Sequence, residues 1–432
     1  MFEEEKQKIA NWLLNPDHPE SLSLEEAEER LRTLSLWKVY EEIEVPLFPI
    51  LKDMSATGIR LDHSRLASLA KELKDEIAKE TKEIFALAGG EFNLNSPKQV
   101  ADILFTNLGL KPLKKNSKSG TSSTDYETLV SLKAAHPIVE HLLKSRELIK
   151  IEGTYVSKLL SAPERIHAVF NQMGAATGRF SSHDPNMQNI PPVVKQVFIP
   201  SDGFTFVSLD YSQIELRLIA SLSGDETMIA AFKKGIDIHR LTASKIFKIP
   251  LQEVDDRMRG MAKTLNFGII YGMGSVAFSK QAGVTRKEAE AFIKEYFKNF
   301  SAIKNYEEDI VMQALQVGYT ENIHGRKRFL PDLASRNSFL ANNARRAAIN
   351  MPVQSLGADV IKLAMIKFWE KYHANSSVKL LLSIHDELLF EIKDSKIDLV
   401  IPDLIKIMES VLSLSVPLKV DVAKGKRWSD LS

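Results

Sequence analysis

Phe206-Val-Ser-Leu-Asp210-Tyr-Ser-Gln-Ile-Glu215 and Leu380-Leu-Leu-Ser-Ile-His385-Asp386-Glu387-Leu-Leu-Phe-Glu391 decide how this chain is read. Each places a carboxylate at the end of an apolar strand. A single aspartate there is usually explained by the turn. Two of them, far apart in the chain but on matching strands, favour a shared metal site. Magnesium takes hard oxygen ligands, commonly one or two carboxylates completed by substrate phosphates and water. Two such ions, about 3.5–4 Å apart, align the attacking and leaving oxygens of a phosphoryl transfer. That reaction needs charge neutralised and atoms aligned more than it needs covalent chemistry.

Between the two segments, Arg259, Lys263, Phe267 and Tyr271 recur every fourth residue. Each step advances about 40° around a helix, so the four share one face. No acid lies within 257–274, so Lys263 has no acidic partner at helical spacing. Arginine offers a phosphate a bidentate fork and lysine a point charge. Lys263 also suits protonation of departing pyrophosphate. Phe267 suits packing against an incoming base or sugar. Gly268, Gly272 and Gly274 predict a soft helix end that swings over its substrate. Metals and a triphosphate-gripping helix together predict nucleotidyl transfer.

Composition narrows the class further. The 432 residues allow two or three domains, and 44% are hydrophobic. The net charge of +1 hides local imbalance: residues 1–50 are acidic and 98–150 basic. A basic stretch in a balanced chain hints at a polyanion. With no cysteine, disulfides, zinc fingers and thiol catalysis are excluded. The N-terminus lacks the apolar core of a secretory signal, and no apolar run reaches membrane-spanning length. The expectation is a soluble cytoplasmic protein with no membrane partner.

Short helices are predicted over 1–45, one opened by a capping box at Ser23-Leu-Glu-Glu26. A long helix is predicted over 64–88, and Asn95-Ser-Pro-Lys98 caps another, with Pro97 at its first turn. Lys111 to Thr124 is basic and rich in Gly and Ser, so it reads as a loop offering Lys114, Lys115 and Lys118 to phosphate. Thr285-Arg-Lys-Glu288 is a second capping box. Hairpins are predicted at 319–330, turning at His324-Gly325, and at 379–392, turning at His385-Asp386. A helix over 338–372 is expected to break near Pro352. Few strands and long helical insertions make an α+β fold.

Several of these segments resemble signature motifs of the family A DNA polymerases of the bacterial DNA polymerase I type. They are Asp210-Tyr-Ser-Gln-Ile-Glu-Leu-Arg217, Arg259-Gly-Met-Ala-Lys-Thr-Leu-Asn-Phe-Gly-Ile-Ile-Tyr-Gly272 and His385-Asp-Glu387. Thr177-Gly-Arg-Phe-Ser-Ser182, Asp237-Ile-His-Arg240 and Arg346-Ala-Ala-Ile-Asn350 to Gln354 match further segments in the same order. The resemblance runs from about residue 40 to the C-terminus. It implies a right-hand fold: an N-terminal helical stub over 1–45, palm over 46–65, 165–225 and 336–432, thumb over 66–164 and fingers over 226–335.

The resemblance also assigns roles. Asp210, the Tyr211 carbonyl and Asp386 hold two Mg²⁺ ions, with Mn²⁺ as a substitute, and Glu387 is an auxiliary catalytic carboxylate. Arg259, Lys263, Phe267, Tyr271, His239, Gln213 and Glu215 bind the deoxynucleoside triphosphate. Glu215, paired with Tyr271, closes the space below the sugar's 2′ carbon and excludes a ribose hydroxyl. Phe267, where some relatives carry tyrosine, implies poor use of nucleotides lacking a 3′-hydroxyl. Arg179, Arg346, Asn350, Gln354 and His385 contact primer–template DNA, mainly in the minor groove, whose acceptor pattern is common to correct pairs.

Departures are the short loop from Asn189 to Phe198, where Lys195 is the only cation, and Gly260, where a larger residue is usual. Ile9 to Pro16 looks like the last helix of an exonuclease region, so the expectation is a monomeric enzyme without proofreading. Two other readings use the same residues: a non-catalytic primer–template binder, and an enzyme chiefly copying RNA templates.

Overall fold

A computed structural model describes residues 2–111 and 122–431. The two carboxylate segments meet in one four-stranded antiparallel sheet. Its strands are β1 (Phe204–Tyr211), β2 (Val378–Ile384), β3 (Glu387–Lys393) and β4 (Val420–Gly425). Their spatial order is β4-β1-β3-β2. β1 and β3 are nearly continuous apolar runs because both faces of the sheet are covered. Alternate side chains then serve opposite cores. Val207, Leu209, Leu388 and Phe390 enter one core; Phe206, Leu381, Leu382 and Leu389 enter the other.

The first core is closed by α1 (Ile214–Ser223) and by a 35-residue helix, here α4 (Ser338–Tyr372). α2 (Ile238–Phe247) and α3 (Asp256–Ile270) pack against each other and extend from it. The second core takes Leu66, Leu69 and Leu73 from the base of the long helix His63–Ala88. That helix packs along Ile138–Ile151. Both capping boxes form, with Ser23–Glu26 and Thr285–Glu288 bonded reciprocally. Both hairpins form as the sequence predicts. Among the described residues no helix is long and apolar enough to cross a membrane.

One expectation fails. Helix α4 runs through Pro352 without a break. Proline removes the donor that the carbonyl four residues back requires. Here that carbonyl is Ala348 O, and the Thr320 hydroxyl of the neighbouring hairpin donates to it at 3.3 Å. Tertiary packing therefore replaces the missing bond, and no local sequence pattern encodes that.

The basic 98–150 segment is also less free than its charge suggests. Lys144 pairs with Glu76 and Glu80, and Lys133 with Glu140. Lys114, Lys115 and Lys118 lie outside the described residues.

Candidate active site

The hairpin turn sets Asp386. His385 adopts a positive φ of 55°, which reverses the chain between β2 and β3. The Asp386 carbonyl then accepts the Tyr211 N–H at 3.1 Å, tying the two acidic segments by their backbones. Glu387 stands opposite Asp210 in the β1–β3 ladder, and Asp421 stands opposite it in the β4–β1 ladder. Directly opposed residues share a face of the sheet. Asp210, Glu387 and Asp421 therefore point the same way, beside the turn that carries Asp386.

This crowding has an electrostatic cost. Burial pushes the Asp210 carboxyl up to about 7, with further repulsion from Asp386, Glu387 and Asp421. Burial also raises Asp386. Carboxylates held this close are relieved by a cation or a proton, so the donor set fits divalent metal. Ser208 Oγ donates to Glu387 Oε1 at 2.5 Å, so Glu387 is oriented rather than free. Among the described residues, no group of three or more His, Asp or Glu side chains encloses a metal by itself. A cation here must complete its shell from a substrate or water.

Gln213 begins α1 with a φ of 53°, and its Oε1 is buried without a partner among the described residues. Two residues on, Glu215 is only 6% exposed. The Tyr271 hydroxyl donates to Glu215 Oε1 and Oε2 at 3.0 and 2.8 Å, and Arg179 donates to Oε1 as well. Burial, reinforced by Glu215, pushes the Tyr271 phenol up to about 12, so it remains a donor. A glutamate on an open helix surface would have none of these constraints.

Helix α3 carries the basic face as predicted, but Arg259 has a partner that helical spacing could not reveal. Asp237, the N-cap of α2, accepts from Arg259 Nε at 2.8 Å. It also accepts from the backbone N–H groups of His239 and Arg240 at 2.9 and 3.1 Å. Arg259 is thus held in place before any ligand arrives, while Lys263 is exposed. Tyr271 lies just past the last residue of α3 as its C-cap.

Two of the glycines at this end are also required by packing. A Cβ on Gly268 would lie 2.8 Å from Met273 Sδ. Gly272 has a φ of +63°, and a Cβ there would lie 2.9 Å from Arg346 Cγ. Close packing and a left-handed turn account for both.

His239 is 2% exposed and its Nδ1 lies 2.9 Å from Asn266 Nδ2. Burial pushes it down to about 4, against the pull of Asp237 and with help from Arg259 and Lys263. A base whose folded pKa is depressed contributes stability above its unfolded pKa, near 6.5, that is lost as pH falls through its folded value. His239→Gln should therefore flatten the fall in Tm between about pH 6.5 and 4 relative to the parent protein. Thermal melts across that window check it. Parallel curves for the two proteins would contradict a buried neutral His239.

The predicted DNA-contacting residues fall into two groups. Arg179 and His385 line one small cavity of about 30 Å³ with Phe180, Gln188, Ala358 and Ile361. Arg346, Asn350 and Gln354 follow each other every fourth residue along α4, so they form a row on one side of the helix. Asn350's amide faces the carbonyls of Ile270 and Tyr271 at the end of α3. Sequence reasoning assigned no role to Asp421, Asp237 or Asn266. Only Asp237 carried a local signal, an acid just before the helix Ile238–Phe247.

The sequence model for DNA polymerase family A matches residues 63–430. The chain is 44% identical over 413 residues to the thermostable DNA polymerase I of Thermus aquaticus, covering 93% of this chain and 49% of that protein. It is 41% identical over 405 residues to DNA polymerase I of Bacillus subtilis (strain 168), covering 91% and 46%. It thus spans about half the length of these curated relatives. Among solved structures, the POL domain of Pol1 from M. smegmatis in complex with DNA primer-template and dNTP superposes with a TM-score of 0.91. That match has 32% identity and covers 98% of this chain and 82% of the other. The fold is the right-hand polymerase fold.

Proposed function

The chain belongs to DNA polymerase family A, and we propose that it is a template-directed DNA polymerase that adds deoxynucleotides to a primer 3′-hydroxyl and releases pyrophosphate in replication or repair. The observation carrying this reading is the backbone link between Tyr211 and Asp386, which gathers Asp210, Asp386 and Glu387 at one end of the two inner strands. In this reading 66–164 is the thumb, 226–335 the fingers and the four-stranded sheet the palm. The protein works as a cytoplasmic, nucleoid-associated monomer.

Asp210, Asp386 and the Tyr211 carbonyl would hold two divalent cations, Mg²⁺ or in its place Mn²⁺. When bound, they supply charge neutralisation for the attacking hydroxyl and the triphosphate. The chain's own groups do the rest. Asp237 keeps Arg259 aimed for the triphosphate, and exposed Lys263 is free to approach it and to give a proton to departing pyrophosphate. Phe267 packs against the base or sugar, and Gln213, at the start of α1, joins it in binding the nucleotide. Arg179, His385, Arg346, Asn350 and Gln354 read the primer–template from its minor groove. Lys114, Lys115 and Lys118 remain candidates for backbone phosphate contact.

Primer extension with four deoxynucleotides and Mg²⁺ tests the reading; pure protein that extends nothing overturns it. Glu215→Ala tests the sugar contact separately. The carboxylate is buried and held by Tyr271 and Arg179, so removing it opens space that a 2′-hydroxyl can fill. Discrimination against ribonucleotides, measured as a ratio of kcat/KM values, should fall at least about tenfold. An unchanged ratio would remove Glu215 from sugar selection.

A further inference from the structure

Behind His239 lies a short chain of buried polar groups. Thr242 and Asn266 are fully buried, at 0% exposure each. The Thr242 hydroxyl donates to Asn266 Oδ1 at 3.0 Å. With that oxygen occupied, Asn266 turns its Nδ2 toward His239 Nδ1 at 2.9 Å. An amide nitrogen only donates, so Nδ1 must accept and cannot carry the proton. A neutral imidazole then bears its hydrogen on Nε2. The groups facing this ring are Asp237, Arg259, Lys263 and Asn266, with Phe267's ring 5.7 Å away. Asp237 is already engaged with Arg259 and two backbone N–H groups. It therefore does not compete for the ring.

We propose that Asn266, locked in orientation by Thr242, is a positioning residue that fixes His239 as the Nε2–H tautomer, so that it offers a hydrogen-bond donor to the triphosphate. The role rests on the polymerase reading above, because it needs His239 to meet a nucleotide. Its logic is one of sign. The opposite amide orientation would accept from an Nδ1–H and leave Nε2 as a lone pair, which repels a phosphate oxygen. Thr242, one helical turn beyond His239 on α2, favours the first, because Asn266 Oδ1 is the one acceptor its hydroxyl reaches among the described residues; in the other orientation the hydroxyl would accept from Nδ2 and lose its own acceptor. An imidazole set this way is a donor without being a cation, leaving the charge to Arg259 and Lys263. A fully buried side chain in α3 thereby acts on the nucleotide site without touching the nucleotide.

Two readouts test it. The first is the ¹⁵N shift pattern of His239 in the free protein, with histidine labelled selectively. The Nε2–H pattern is expected from pH 6 to 8, and Thr242→Val should move it toward Nδ1–H. The second is the KM for deoxynucleotide. Thr242→Val should raise it about tenfold, the scale of one charge-assisted hydrogen bond, with a smaller change in kcat. Asn266→Asp keeps the volume but accepts from Nδ1–H. It should favour the doubly protonated ring and make KM depend on pH where the parent's does not. A parent spectrum of the Nδ1–H form overturns the proposal. So does a Thr242→Val protein that is folded, shows the shifted spectrum and keeps the parent KM; the polymerase reading then stands. If the parent extends no primer, that reading fails and the proposed role falls with it, while the spectrum still reports the tautomer on its own.

Discussion

Asp386→Ala lowers the rate of primer extension by at least about 10³-fold, because a bound cation supplies several kcal/mol and each ~1.4 kcal/mol is tenfold. The loss should fall on kcat rather than on DNA affinity. Asp386 lies at a turn whose backbone is anchored by Tyr211, so the alanine variant keeps the hairpin and its neighbours. Removing the carboxylate also lessens the repulsion that helps raise Asp210. The variant should therefore fold at least as well as the parent in metal-free buffer while losing activity. Single-turnover extension and a thermal melt on the same preparation separate the two effects. An active Asp386→Ala protein would remove this residue from the metal site. An unfolded one would show that the crowded carboxylates hold the fold together instead of straining it. Asp210→Ala should behave alike in rate. Tight DNA binding by both variants and the parent, with no turnover in any of them, would favour a non-catalytic primer–template binder.

The contrast between what the sequence disclosed and what it hid follows from the range of the interactions. Strands β1 and β3 were legible because a short apolar run with a carboxylate at its end is a local pattern. The basic face of α3 was legible because 3.6-residue periodicity is local as well. Asp421 was not, since β4 meets β1 only after the chain has travelled from 211 to 420, and Val-Asp-Val is an ordinary edge-strand pattern. Arg259's partner was hidden for the same reason: Asp237 lies in a different helix. Pro352 misled because the rule it obeys is local and the remedy, Thr320, is not. Gly268 and Gly272 are ambiguous in a different way. Glycine signals either freedom or close approach, and only the positions of Met273 and Arg346 distinguish them.

A hidden contact still more distant in sequence carries the second large prediction. Glu44 is fully buried, and Lys362 Nζ donates to its Oε1 at 2.6 Å. Arg326 also donates to Oε1, and Gln172 Nε2 donates to Oε2 at 2.7 Å. Asp359 completes the cluster, accepting from Arg326 Nε at 2.9 Å and from Asn322 Nδ2 at 2.7 Å. Two carboxylates and two cations are thus balanced against each other. Glu44→Ala breaks the balance, leaving Lys362 buried without its carboxylate and Arg326 with one partner of two. Breaking a buried pair on one side costs about 3–5 kcal/mol, so the denaturant midpoint should drop steeply.

Lys362 gives the test its sign. Burial already pushes it down to about 8, and Glu44 is the largest influence holding it up. Without Glu44 the amine should lose its proton near neutral pH. Lys362→Met in the Glu44→Ala background should then recover part of the loss, since an apolar side chain replaces an unpaired amine. Purely additive losses in the double variant would mean that the two groups do not act as a pair.

The consequence reaches the active site. A Cβ on Gly178 would lie 3.0 Å from the Arg326 guanidinium carbon, and Lys362 Nζ lies 5.1 Å from the Phe180 ring. The segment so clamped carries Arg179, which bonds Glu215. Loosening the cluster should therefore relax ribonucleotide exclusion as well as stability, and the double variant should recover part of both together.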